Sequence, residues 1–150
     1  MSEIAATLGL PVTFAFGGRE YPVAARTFEV EGLFEVWCEQ SALDAIQRHR
    51  EALGPAGTAM QMDGWRRDCA AHAYHWDSLE CWQARGSVPG RKRLAALQLC
   101  KGGVSMMEAQ NLVEQVWEDA EAVALLEAAM ERANADPNRE RPYRRARQAG

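Results

Sequence analysis

Apolar and polar residues alternate from Val12 to Val23, and beyond that point apolar positions recur every three or four residues as far as Ala135. The pattern predicts one β-hairpin followed by helices. Gly17 and Gly18 both tolerate the positive φ that a two-residue type I′ turn requires. With these two as the loop, Phe16 opposes Arg19, Phe14 opposes Tyr21 and Val12 opposes Val23, so Val12, Phe14, Tyr21 and Val23 share one apolar face. That face is expected to pack on helices at about 28 to 53 and 58 to 85. Pro22 has no N–H for a ladder, which places its strand at an edge available to another subunit or a partner.

Thr27 is a suitable N-cap, and Glu29 and Glu31 suit the positive end of a helix dipole. Val30, Leu33, Phe34 and Trp37, then Ala42, Ile46 and Leu53, predict a helix over 28 to 53 with a bend near Ser41. Residues 54 to 58 read as a loop. Met62, Trp65, Cys69, His72, Trp76 and Leu79 keep helical spacing and predict a central helix to about 85, with Trp65, Trp76 and Trp82 as core. Ser87 caps a third helix with Pro89 in its first turn, Leu94, Ala95 and Leu97 facing inward, and Gly102-Gly103 as its stop. Ser105 and Glu108 form a capping box for a fourth, on which Leu112, Val113, Val116 and Trp117 face inward. Val123, Leu126, Met130 and Ala133 define a further helix or a continuation. The fold class expected is mainly α, an N-terminal hairpin packed on a bundle of four to five helices.

A chain of 150 residues, 47% of them hydrophobic, suits one domain, expected over 1 to 136. Charge is unevenly placed: residues 1 to 136 carry 12 Lys and Arg against 20 Asp and Glu, whereas 137 to 150 carry five Arg and one Glu. The tail, with Pro137 and Pro142 and no apolar periodicity, is expected to be disordered by itself. Its Arg139, Arg141, Arg144, Arg145 and Arg147 suit an acidic partner surface, while the acidic body disfavours nucleic acid. Arg91, Lys92 and Arg93 sit near a helix start, where the dipole disfavours cations, and are a second candidate acidic contact. The chain has no long apolar run and no signal-peptide pattern at its N-terminus, so a cytoplasmic protein with no membrane contact is expected. Cys38, Cys69, Cys81 and Cys100 lie in helical patterns and are expected as reduced thiols.

Cys69, His72, His75 and Cys81 are the one close grouping of metal-ligand types, in the spacing C-x2-H-x2-H-x5-C. On a continuous helix Cys81 would lie about 18 Å along the axis from Cys69, too far to converge on a tetrahedral zinc. No metal and no cofactor are therefore expected. Nor does a glycine-rich elbow or phosphate-binding loop accompany any Ser or Cys, and the chain reads as a non-enzyme.

The order of segments carries more. F-A-F-G-G-R-E-Y-P-V, a long acidic helix, Y-H-W-D-S-L on a tryptophan-bearing stretch, G-S-V-P-G-R-K-R-L-A-A-L and V-S-M-M-E-A-Q-N-L-V together resemble tail assembly chaperones of long-tailed bacteriophages over about residues 10 to 134. The resemblance implies a non-enzymatic protein of the host cytoplasm that binds the tape measure protein while the tail assembles, and it implies no catalytic residues. A homo-oligomer is expected. The alternative from the residues is a virion structural protein, such as a head-to-tail connector or tail component, in which the edge hairpin and basic arm are subunit contacts.

Overall fold

Val12–Phe16 (β1) and Arg19–Val23 (β2) pair antiparallel in the computed structural model, which describes residues 11 to 135. The register is the expected one: Val12 opposite Val23, Phe14 opposite Tyr21, Phe16 opposite Arg19. Gly17 and Gly18 take φ of 60° and 78°, as a type I′ turn requires. Phe14 and Val23 are buried, and Val12 and Tyr21 pack against the same core. The basic tail, with Arg139, Arg141, Arg144, Arg145 and Arg147, lies outside the described residues.

Among the described residues six helices follow: Phe28–Arg48 (α1), Arg50–Ala70 (α2), Leu79–Gly86 (α3), Val88–Gly102 (α4), Met106–Val116 (α5) and Ala120–Asn134 (α6). The fold is mainly helical, with the hairpin packed on the helices. Side-chain caps open five of them. Thr27 accepts from the Val30 amide, Ser78 from Cys81, Ser87 from Gly90, Ser105 from Glu108 and Asp119 from Glu121.

Two expected boundaries and the expected central helix change. First, α1 continues through Ser41 as one helix and stops at His49, and the expected loop at 54 to 58 shrinks to a kink at Gly54 (φ 72°, ψ 173°), with Pro55 opening the next helical turn. Trp65 Nε1 donates to the Glu39 carbonyl at 2.9 Å, joining residues on either side of this turn, so α1 and α2 form an antiparallel helical hairpin.

Second, the helix expected to about 85 ends at Ala70. His72 takes a left-handed φ of 58°, and the Ala73 amide reaches back to the Asp68 carbonyl at 2.9 Å in a Schellman-type closure. The break turns Trp76 into the core. Its ring meets Phe34 edge-on at 5.6 Å, with the Arg26 and Arg85 guanidinium carbons 4.9 and 4.1 Å from its centroid, and its amide donates to Glu35 at 2.8 Å. Trp65 is half-buried, but Trp82 is 65% exposed and is not a core residue.

Third, the central helix is α4. Six successive residues, Leu94 through Leu99, are buried, the mark of a helix covered on all sides. The hairpin accordingly packs on α4 and α6, not on the helices expected. Gly102 makes this possible, since a Cβ there would lie 2.1 Å from the Pro22 carbonyl oxygen. A polar clamp holds the same junction. Buried Gln98 donates to the Ala24 carbonyl at 2.9 Å and to Asn134 Oδ1 at 3.0 Å, and its own carbonyl accepts from the Ala24 amide at 3.0 Å. Asn134 Oδ1 also accepts from the Arg26 amide, which closes the linker between hairpin and α1 over α4 and α6.

Candidate functional site

α1, α4 and α5 enclose a groove of about 520 Å³. Ala96 and Val113, both buried, form its floor, Trp37 is half-buried in one wall, and exposed Val88 and Pro89 form a rim at the start of α4. The volume lies in the range of about 300 to 1,000 Å³ usual for binding pockets. Gln110 and Asn111 bring side-chain amides to the opposite rim.

The three cations at the start of α4 have different fates. Arg91 leaves the groove and clamps Glu127 of α6 through both oxygens, its Nε at 3.0 Å, with its guanidinium carbon 5.6 Å from the Trp117 centroid. Lys92 reaches Glu114 of α5 at 3.0 Å. Arg93 lines the groove with Nε buried and without a hydrogen-bond partner, and among the described residues no carboxylate pairs with it. Burial pulls its proton affinity below the ordinary arginine range, and no carboxylate offsets that, with only the Cys100 thiol acting the other way. Arg91 moves the opposite way, held up by its hydrogen bonds to Glu127. The structure thus separates one uncompensated cation from two that serve helix packing.

Pro22 is exposed in β2 opposite Thr13, but its carbonyl faces the end of α4 at Gly102, so part of the strand edge is taken up within the chain. A second exposed region is the α1–α2 hairpin. Among the described residues the substantial packing of α2 is with α1 only, Thr58 is its one buried residue, and Met60 at the surface is 70% exposed. Leu33 and Val36 are exposed on α1.

The Cys69, His72, His75 and Cys81 grouping does not lie on one helix, because the chain breaks after Ala70. The break separates the four. His72 is exposed, His75 lies 3.9 Å from Glu35, and Cys81 is fully buried beside Cys38. Among the described residues no group of three or more His, Cys, Asp or Glu side chains is placed to hold a metal ion. The Cys38 thiol is held far above the ordinary range by its hydrogen bond with Cys81 and by burial. Burial also raises Cys69, helped by the charges of Glu39 and Asp68.

Sequence reasoning singled out Arg93 but neither Trp37 nor the α5 wall. Trp37 read as one more apolar position, and pairing of α4 with α5 depends on tertiary contacts. Among the described residues no helix is long and apolar enough to cross a membrane. Comparison of the chain with protein-family models, with curated proteins and with solved structures finds no match.

Proposed function

We propose that this chain is a non-enzymatic binding protein, and specifically a tail assembly chaperone of a long-tailed bacteriophage that holds the tape measure protein in the host cytoplasm during tail assembly. The observation that carries the binding role is the groove beside α4, apolar in its floor and wall and bordered by the unpaired Arg93. An apolar groove between helices takes an amphipathic helix of a partner and shields it from aggregation. The phage assignment rests on the order of segments described above, with the tail arginines adding attraction to acidic partner segments.

Co-expression tests the role. The tape measure should stay soluble and co-purify with this chain, and truncation at Asp136 should slow their association more than it alters the fold. A tape measure soluble without this chain, together with many copies of the chain in finished particles, overturns the chaperone role. That result favours a virion structural protein, a reading supported by the projecting α1–α2 hairpin with Met60 at its surface as a homo-oligomer contact.

A further inference from the structure

We infer that the groove between α1, α4 and α5 docks an apolar partner segment carrying a single Asp or Glu, whose carboxylate is received by Arg93. The inference rests on the reading that this chain binds a protein partner, and it names the chemistry of that partner.

Two of the three adjacent cations are neutralised inside the chain, Arg91 by Glu127 and Lys92 by Glu114. Arg93 alone lacks a carboxylate among the described residues, although its Nε is already out of water. A guanidinium offers donors in a planar fork that fits a carboxylate through two parallel hydrogen bonds. An arriving carboxylate gains that pair without the full dehydration of the cation, because folding has removed part of its water beforehand. A cationic segment would meet Arg93 as a like charge, while Lys92 and Glu114, which both line the groove, offset one another.

The surroundings limit the occupant further. Ala96, Val113 and Trp37 offer apolar contact beneath and beside Arg93, and an aromatic and an arginine in one pocket is the composition of an interface hot spot. Over residues 1 to 136 the chain carries 20 acidic against 12 basic side chains, so a polyanion is repelled as it approaches. One carboxylate flanked by apolar residues satisfies both conditions. A nucleic acid or an acidic tract satisfies only the first.

A displayed library of random 12-residue peptides, selected on the full-length chain, tests this without assuming the natural partner. Selected peptides should share one Asp or Glu flanked by Leu, Met or Phe. Arg93→Met should weaken them by about ten- to a hundredfold, the loss of a charged hydrogen-bonded pair. Changing the peptide's Glu to Gln should cost a similar factor on the unaltered chain and little on Arg93→Met. Val88→Glu, at a rim position 48% exposed, should repel the same peptides with the core untouched, so the test survives a folding defect in the first variant. Absence of binders, binders without an acidic residue, or equal binding to Arg93→Met overturns the inference. So does self-association abolished by Arg93→Met at unchanged fold, which would place a second copy in the groove. A tape measure still captured by Arg93→Met leaves the chaperone reading standing and removes this site. Acidic peptides lost on Arg93→Met, with no tape measure captured, do the reverse.

Discussion

Gly102→Ala opposes helix propensity to steric contact at the junction of the hairpin and the central helix. Gly102 ends α4, and alanine is favoured over glycine in a helix by up to about 1 kcal/mol. Against that gain, the new Cβ would stand 2.1 Å from the Pro22 oxygen and 2.7 Å from its carbonyl carbon. Both atoms are backbone, so no side chain can swing aside. Restoring ordinary contact near 3.4 Å moves β2 outward by about 1.3 Å. That shift strains the two hydrogen bonds between Ala24 and Gln98, worth about 0.5 to 1.5 kcal/mol each, and loosens Val23 and Phe14 in the core. Overpacking of this kind typically costs about 1 to 3 kcal/mol. A net loss of about 2 to 4 kcal/mol is expected, or about 6 to 15 °C in Tm for a domain of this size. Thermal and urea unfolding followed by circular dichroism measure it. Gly32→Ala is the control: it lies inside α1 with nothing within 4 Å of a Cβ, and should stabilise by about 0.5 to 1 kcal/mol. If Gly102→Ala were as stable as the unaltered chain, β2 would not lie against the end of α4 as described.

Three further outcomes are expected. Phe14→Asp, at a core position 3% exposed, should lose at least about 4 kcal/mol from cavity and buried charge together, and an unchanged Tm and oligomer size would show the hairpin face to be solvated. Gln98→Leu should cost about 1 to 3 kcal/mol by leaving the Ala24 carbonyl without its side-chain donor, and a neutral result in urea titration would remove the clamp from the stability account. The Cys69 thiol, pushed up by burial and by Glu39 and Asp68, has less thiolate at a given pH than free cysteine; peptide-mapped iodoacetamide labelling at pH 8 should therefore be slower there and speed up as pH rises, with buried Cys38 and Cys81 unlabelled until unfolding. Labelling of Cys69 at the free rate would contradict the placement.

What the sequence by itself determined are the features governed by a few neighbouring residues. The hairpin register follows from Gly17-Gly18 and a two-residue period, and Thr27, Ser87 and Ser105 start their helices because each side chain caps an amide three residues ahead. The inward faces of α5 and α6 follow from spacing alone, and Leu112, Val116, Leu126 and Met130 are all buried. Spacing failed where it ran on across a break. Trp65, Cys69, His72, Trp76 and Leu79 keep one helical rhythm, yet the left-handed turn at His72 ends α2, carries Trp76 into the core and leaves Trp82 in solvent. The signal available was Ser78 as a cap, which marks a new start inside the apparent helix. The choice of α4 as the central helix, the close approach of Gly102 to Pro22 and the clamp through Gln98 were decided only in three dimensions. The same holds for the groove. Arg91, Lys92 and Arg93 are equivalent as a run of cations, and they become different because Glu127 and Glu114 stand opposite the first two while Arg93 lines the groove with no carboxylate opposite it among the described residues. Helix caps and turns are satisfied by atoms a few bonds away, whereas the partner of a charge depends on which helix packs against it, and that information lies dozens of residues distant along the chain.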